Sequence, residues 1–64
     1  DAGVGGLMGL GAAEGAYYNV MINLKGIEDG AFRDATSREA RALLKQAEEL
    51  AAEIRDIVRK ELVG

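Results

Sequence analysis

The N-terminal run of small residues is the first pattern in the chain that could bind a ligand. Asp1 is followed by Ala-Gly-Val-Gly-Gly, and a helix that starts here leaves the amides of residues 2–5 free. Such amides can hold a carboxylate or another polar ligand group, and glycine allows a close approach. Plain N-capping by Asp1 with tight helix packing is the alternative interpretation. A dinucleotide-binding fingerprint is disfavoured, because Met8 stands where that motif requires glycine.

Polar side chains within the following apolar stretch are further candidates. Glu14 carries the one charge between positions 2 and 24. If buried, it must meet a cation, become protonated or line a water-filled cavity, and a protonated carboxyl is a possible general acid. An arginine partner or an exposed position is the structural alternative. Asn19 and Asn23 lie one helical turn apart, so we expect hydrogen bonds to a neighbouring helix, with ligand contact as the minor alternative.

Composition excludes several kinds of chemistry. The chain has no histidine and no cysteine, which removes disulfides, imidazole or thiol catalysis and the usual zinc and haem ligands. Its 8 basic and 11 acidic residues give a net charge of −3 with both signs mixed. Because a phosphate backbone requires a basic protein face, we predict no nucleic-acid partner. We also predict no metal and no cofactor.

A membrane span has to be considered for residues 2–24, which are long and nearly uncharged. Several glycines, two asparagines and a glutamate argue against it, and a signal peptide would need a basic start. We therefore predict no membrane partner and a location in the reducing cytoplasm, with a single membrane helix and soluble tail as a minor alternative. Since the chain opens on Asp1 rather than methionine, we expect it to belong to a longer protein.

The composition of the chain predicts two helices. Small and apolar residues dominate residues 1–27, whereas residues 36–64 are charged. The pair Lys25-Gly26 predicts a helix end, with the glycine in the left-handed conformation. The stretch from Thr36 to Glu39 matches a capping box and predicts a helix start. We expect a helix over about 2–25, a turn over 26–35 and a helix over about 36–62.

The second helix has one wide apolar face, because its apolar residues recur at spacings of three and four. They are Ala40, Leu43, Leu44, Ala47, Leu50, Ala51, Ile54, Ile57, Val58 and Leu62. The charged residues between them are expected to be solvated. Asp56 and Lys60 are spaced for a favourable ion pair on this helix.

The first helix is apolar or small in almost every direction, which is typical of a helix enclosed by several others. Its smallest residues fall along one stripe, where another backbone can approach closely. The stripe comprises Gly5, Gly9, Ala12, Ala16, Asn19 and Asn23. The helices measure about 36 and 39 Å at 1.5 Å per residue, so they match as an antiparallel hairpin. We predict an all-α fold in which this long hairpin forms part of a dimeric helical bundle.

Three stretches carry a resemblance to a known family. They are Asp1-Ala-Gly-Val-Gly, Gly15-Ala-Tyr-Tyr-Asn-Val-Met-Ile-Asn-Leu-Lys and Ile27-Glu-Asp. These residues resemble the C-terminal part of the cyclodeaminase domain of the formiminotransferase-cyclodeaminase family, also found as stand-alone cyclodeaminases and methenyltetrahydrofolate cyclohydrolases. The resemblance spans essentially all of residues 1–64. It implies a considerably longer all-helical domain that is dimeric and binds folate near the subunit interface.

The activity that this resemblance implies is conversion of 5-formimidoyltetrahydrofolate to 5,10-methenyltetrahydrofolate and ammonia, or the related cyclohydrolase reaction. N10 attacks the formimidoyl carbon and the leaving nitrogen is protonated, so the site needs an acid and a pocket that orients the pterin. Asp1 matches the motif aspartate, and Asp1, Gly3 and Gly5 are expected to line the folate site. The catalytic residues are not identified in this chain, and we expect it to be inactive alone.

A second hypothesis requires no catalysis. The glycine stripe and the amphipathic second helix would then form a non-catalytic helical oligomerisation module. Both hypotheses predict a homodimer or a higher homo-oligomer. They differ at the start of the first helix, where the enzyme hypothesis predicts a folate-binding cavity beside Asp1 and Gly3 and the module predicts a dry, filled interface.

Overall fold

Two α-helices joined by a short connection make up the chain. The computed structural model describes the backbone of residues 2–63 and the side chains of residues 5, 6 and 8–63. Helix α1 spans Ala2–Leu24 and helix α2 spans Gly30–Val63. This part of the chain contains no strand, so the predicted all-α class is confirmed. Over the same residues, neither helix is long and apolar enough to cross a membrane.

The helices pack side by side in opposite directions. Gly6, near the start of α1, lies against Ile54, near the end of α2. At the other end of the pair, the Ser37 hydroxyl donates to the Met21 sulfur at 3.6 Å. Because early positions of α1 pair with late positions of α2, the chain is the predicted antiparallel hairpin. The dimeric bundle around it stays a prediction.

One seam of side chains joins the helices, and its members alternate at spacings of three and four. On α1 they are Gly6, Leu10, Ala13, Tyr17, Val20 and Leu24, and on α2 they are Ser37, Ala40, Leu44, Ala47, Ala51, Ile54 and Val58. This repeat keeps one face of each helix against the other, as in a coiled coil. Leu24 and Ala51 are buried, with 5% and 3% of their surface exposed, and the other members are half-buried.

Helix α2 starts at a different cap from the one that the capping box indicates. The predicted start at Thr36, after a turn over 26–35, is wrong, because α2 begins at Gly30. The Asp29 carboxylate accepts from the Phe32 amide at 3.1 Å, so Asp29 is the N-cap. Thr36 lies inside the helix because the residues before it, from Ala31 onward, are compatible with helix and nothing interrupts them.

Helix α1 ends close to the predicted residue but by another mechanism. No glycine among the described residues has a positive φ angle, so the predicted left-handed conformation of Gly26 is wrong. Instead, the amides of residues 25–27 donate to the carbonyls three positions earlier at 3.1 to 3.4 Å. These bonds tighten the last turn and satisfy carbonyls that the helix leaves open. The Arg33 guanidinium donates to the Ile27 carbonyl at 3.3 Å and ties the connection to α2.

The two helices differ in length, which corrects the expected match. Helix α1 has 23 residues and α2 has 34, which correspond to about 35 and 51 Å. The Cα atoms extend over 53 × 15 × 10 Å. Helix α2 is longer than expected because it includes most of the segment that was predicted as a turn. It therefore runs past α1 at both ends.

Removal of the α2 cap tests its position. Asp29→Ala deletes the acceptor of the Phe32 amide and is expected to lower the free energy of unfolding by about 1 kcal/mol. Thr36→Ala is expected to change it by about 0.5 kcal/mol or less, because Thr36 lies inside the helix. Urea titration followed by circular dichroism at the helix band measures both values. A larger loss in Thr36→Ala than in Asp29→Ala would contradict the assignment of the cap.

Alanine substitutions at two glycines of α1 distinguish the effect of helix propensity from the effect of packing against α2. A side chain at Gly15 would meet nothing within 4 Å, whereas a Cβ at Gly6 would lie 3.0 Å from the Ile54 Cδ1 atom. Gly15→Ala is expected to raise the free energy of unfolding by up to about 1 kcal/mol, since alanine favours the helix. Gly6→Ala should gain less, because Ile54 has to move. Equal gains in the urea titration would show that Gly6 is not packed against α2.

Candidate functional site

The residues expected to bind folate lie at the start of α1. Gly3 and Gly5 belong to its first turns, and Asp1 directly precedes it but lies outside the described residues. Gly5 is exposed, and a Cβ at this position would meet none of the described residues beyond its own stretch of helix within 4 Å. Among the described residues, α2 therefore does not fill the space beside Gly5. The binding role of Asp1, Gly3 and Gly5 stays a prediction.

The other polar residues of α1 lie on its exposed surface. Glu14 is exposed, so it is not a buried carboxyl, and the hypothesis of a general acid loses its support. Asn19 and Asn23 are exposed on the opposite side of the seam from Glu14, so α2 is not the helix to which their amides are expected to hydrogen-bond. Tyr17 is half-buried, and its ring meets that of the exposed Tyr18 edge-on at 5.6 Å. These residues do not form one polar site.

An apolar groove runs along one face of the hairpin and contains two cavities, of about 170 and 260 Å³. The cavity nearer the connection is lined by Ala13, Ala16, Tyr17, Val20, Ala40, Leu43 and Leu44. The cavity nearer the chain ends is lined by Gly6, Gly9, Leu10, Ala47, Leu50, Ala51 and Ile54. Because both helices contribute to each cavity, the groove follows the seam for much of its length.

The walls of the groove are formed by residues that each precede a seam residue by one position. On α1 this wall is the small-residue stripe, which is Gly5, Gly9, Ala12, Ala16, Asn19 and Asn23, all exposed. On α2 the same positions carry Thr36, Glu39, Leu43, Gln46, Leu50, Glu53 and Ile57, and we call Leu43, Leu50 and Ile57 the leucine ridge. Between 57% and 60% of the surface of each ridge residue is exposed. A low wall of small residues thus faces a higher wall in which aliphatic side chains alternate with acidic and amide ones.

The opposite face of the hairpin is charged mainly on α2. Its residues follow the seam by one position, and on α2 they include Arg41, Lys45, Arg55 and Arg59, all exposed. Glu14 and Lys25 occupy the same side of α1. The predicted pair of Asp56 and Lys60 is present further round α2, with 3.6 Å between its charged atoms, and is confirmed. Exposed pairs of this kind contribute little to stability. On α2 the side that follows the seam is therefore largely basic, whereas the groove side combines the leucine ridge with Glu39 and Glu53.

The groove offers shape and apolar surface rather than reactive groups. The Tyr17 hydroxyl is the one polar side-chain group among the residues that line its two cavities. Within the described part of the chain, no group of carboxylates is arranged to hold a metal ion. The groove can bind a helix or the apolar part of a ligand, whereas an acid for catalysis has to come from elsewhere.

The groove was not predicted from the sequence, although a signal for it exists. The ridge residues recur every seven positions and are offset by one from the seam residues Leu44, Ala51 and Val58. Both sets were assigned to one wide apolar face. Two offset heptad patterns on one helix indicate two neighbours rather than one.

Comparison with known proteins identifies the family of the chain. The family model described as Formiminotransferase-cyclodeaminase matches residues 1–42, a range that includes α1, the connection and the first part of α2. No solved structure matches the chain. The expected family of the sequence is thereby confirmed.

A curated relative extends the similarity to nearly the whole chain. The chain is 42% identical over 60 residues to Formimidoyltransferase-cyclodeaminase of Gallus gallus. The aligned segment covers 94% of this chain and 11% of that protein, so the chain spans a small part of the relative's length. Taken with the family match over residues 1–42, this similarity shows that the chain belongs to the formiminotransferase-cyclodeaminase family.

Proposed function

We propose that this chain is part of a folate-processing enzyme and contributes to its cyclodeaminase domain. The observation that supports this most directly is the family match over residues 1–42, which begins with the pattern of Asp1, Gly3 and Gly5. The similarity to the chicken protein adds support over 94% of the chain. The parent enzyme would work in the cytoplasm on a tetrahydrofolate derivative, without a cofactor.

The proposed reaction closes a ring on the folate. N10 of 5-formimidoyltetrahydrofolate attacks the formimidoyl carbon and loses its proton as the new C–N bond forms. The former imino nitrogen is protonated and leaves as ammonia, which gives 5,10-methenyltetrahydrofolate. A cyclohydrolase reaction involves the same bicyclic compound with water in place of ammonia, and it is the alternative activity of the parent.

The role proposed for this chain is to bind and orient the substrate. The first amides of α1 have no partner within the helix, so they can donate to polar groups of a ligand beside Asp1, Gly3 and Gly5. The space beside Gly5, which α2 does not fill, is compatible with that role. Glu14 is not included, since it is exposed on the far side of the seam from the stripe that contains Gly5. The general acid would come from other parts of the parent enzyme, so the chain alone would be inactive.

A non-catalytic oligomerisation module is the second candidate. It is favoured by the apolar surface that α1 leaves uncovered, where Met8, Tyr18 and Ile22 are 71%, 60% and 63% exposed. A hairpin that exposes such side chains is suited to assembly with other helices. The two candidates differ in whether the protein binds a reduced folate.

The variant Asp1→Asn tests the folate site. Asparagine caps a helix as well as aspartate does, so the variant removes a charge and keeps the cap. In the full-length parent enzyme, we expect Asp1→Asn to raise the Kd for tetrahydrofolate at least about tenfold, which corresponds to about 1.4 kcal/mol. Isothermal titration calorimetry measures the change.

The matched control is Asp29→Asn, since Asp29 also caps a helix but lies at the far end of α1 from Asp1. It is expected to leave the Kd unchanged. Equal weakening in both variants would remove Asp1 from the site. If the unmodified parent gave no heat with millimolar tetrahydrofolate, the enzyme proposal would fail and the oligomerisation module would be favoured.

A further inference from the structure

We draw no further inference here: the strongest candidate, the apolar groove between the small-residue stripe of α1 and the leucine ridge of α2, carries none because nothing in the structure shows what covers it.

Discussion

The seam between α1 and α2 covers only one side of α1. The apolar surface that the hairpin leaves exposed follows from this narrow contact. The seam is narrow because many of its members are small, including Gly6, Ala13, Ala47 and Ala51. Small residues let the helix axes approach, but they bury little apolar area, and Leu24 and Ala51 are the residues of the described part that become buried. The energy that holds this pair of helices together is therefore modest, and α1 keeps apolar surface that further helices would have to cover.

The two faces beside the seam differ in the kind of surface that they present. One side is largely basic on α2, while the other forms a groove between the small-residue stripe and the leucine ridge. Gly5 belongs to the small-residue stripe and also to the set proposed to bind folate.

Much of the fold could be predicted because helical periodicity is a local property. The spacing of three and four in α2 and the apolar character of α1 predicted two helices, and the short connection left an antiparallel hairpin as the compact arrangement. Helix boundaries were less predictable. Thr36 and Glu39 have the spacing of a capping box. The Asp29 carboxylate nevertheless accepts from the Phe32 amide, so α2 begins at Gly30. Nothing in the sequence between Gly30 and Thr36 interrupts the helix. Gly26 has the form of a left-handed cap, but hydrogen bonds three residues apart close the turn instead.

The sequence by itself determined the family and the helical class. It also determined that Asp1 directly precedes α1 and that Gly3 and Gly5 belong to its first turns. These follow from residue types and short spacings that do not depend on a partner. Only the tertiary structure decided which apolar residues of α2 face α1 and which form the exposed ridge. Periodicity gives the direction of each side chain around its own helix but not the rotation of one helix against another, and that rotation is set by how side chains such as Ile54 fit against the bare backbone at Gly6.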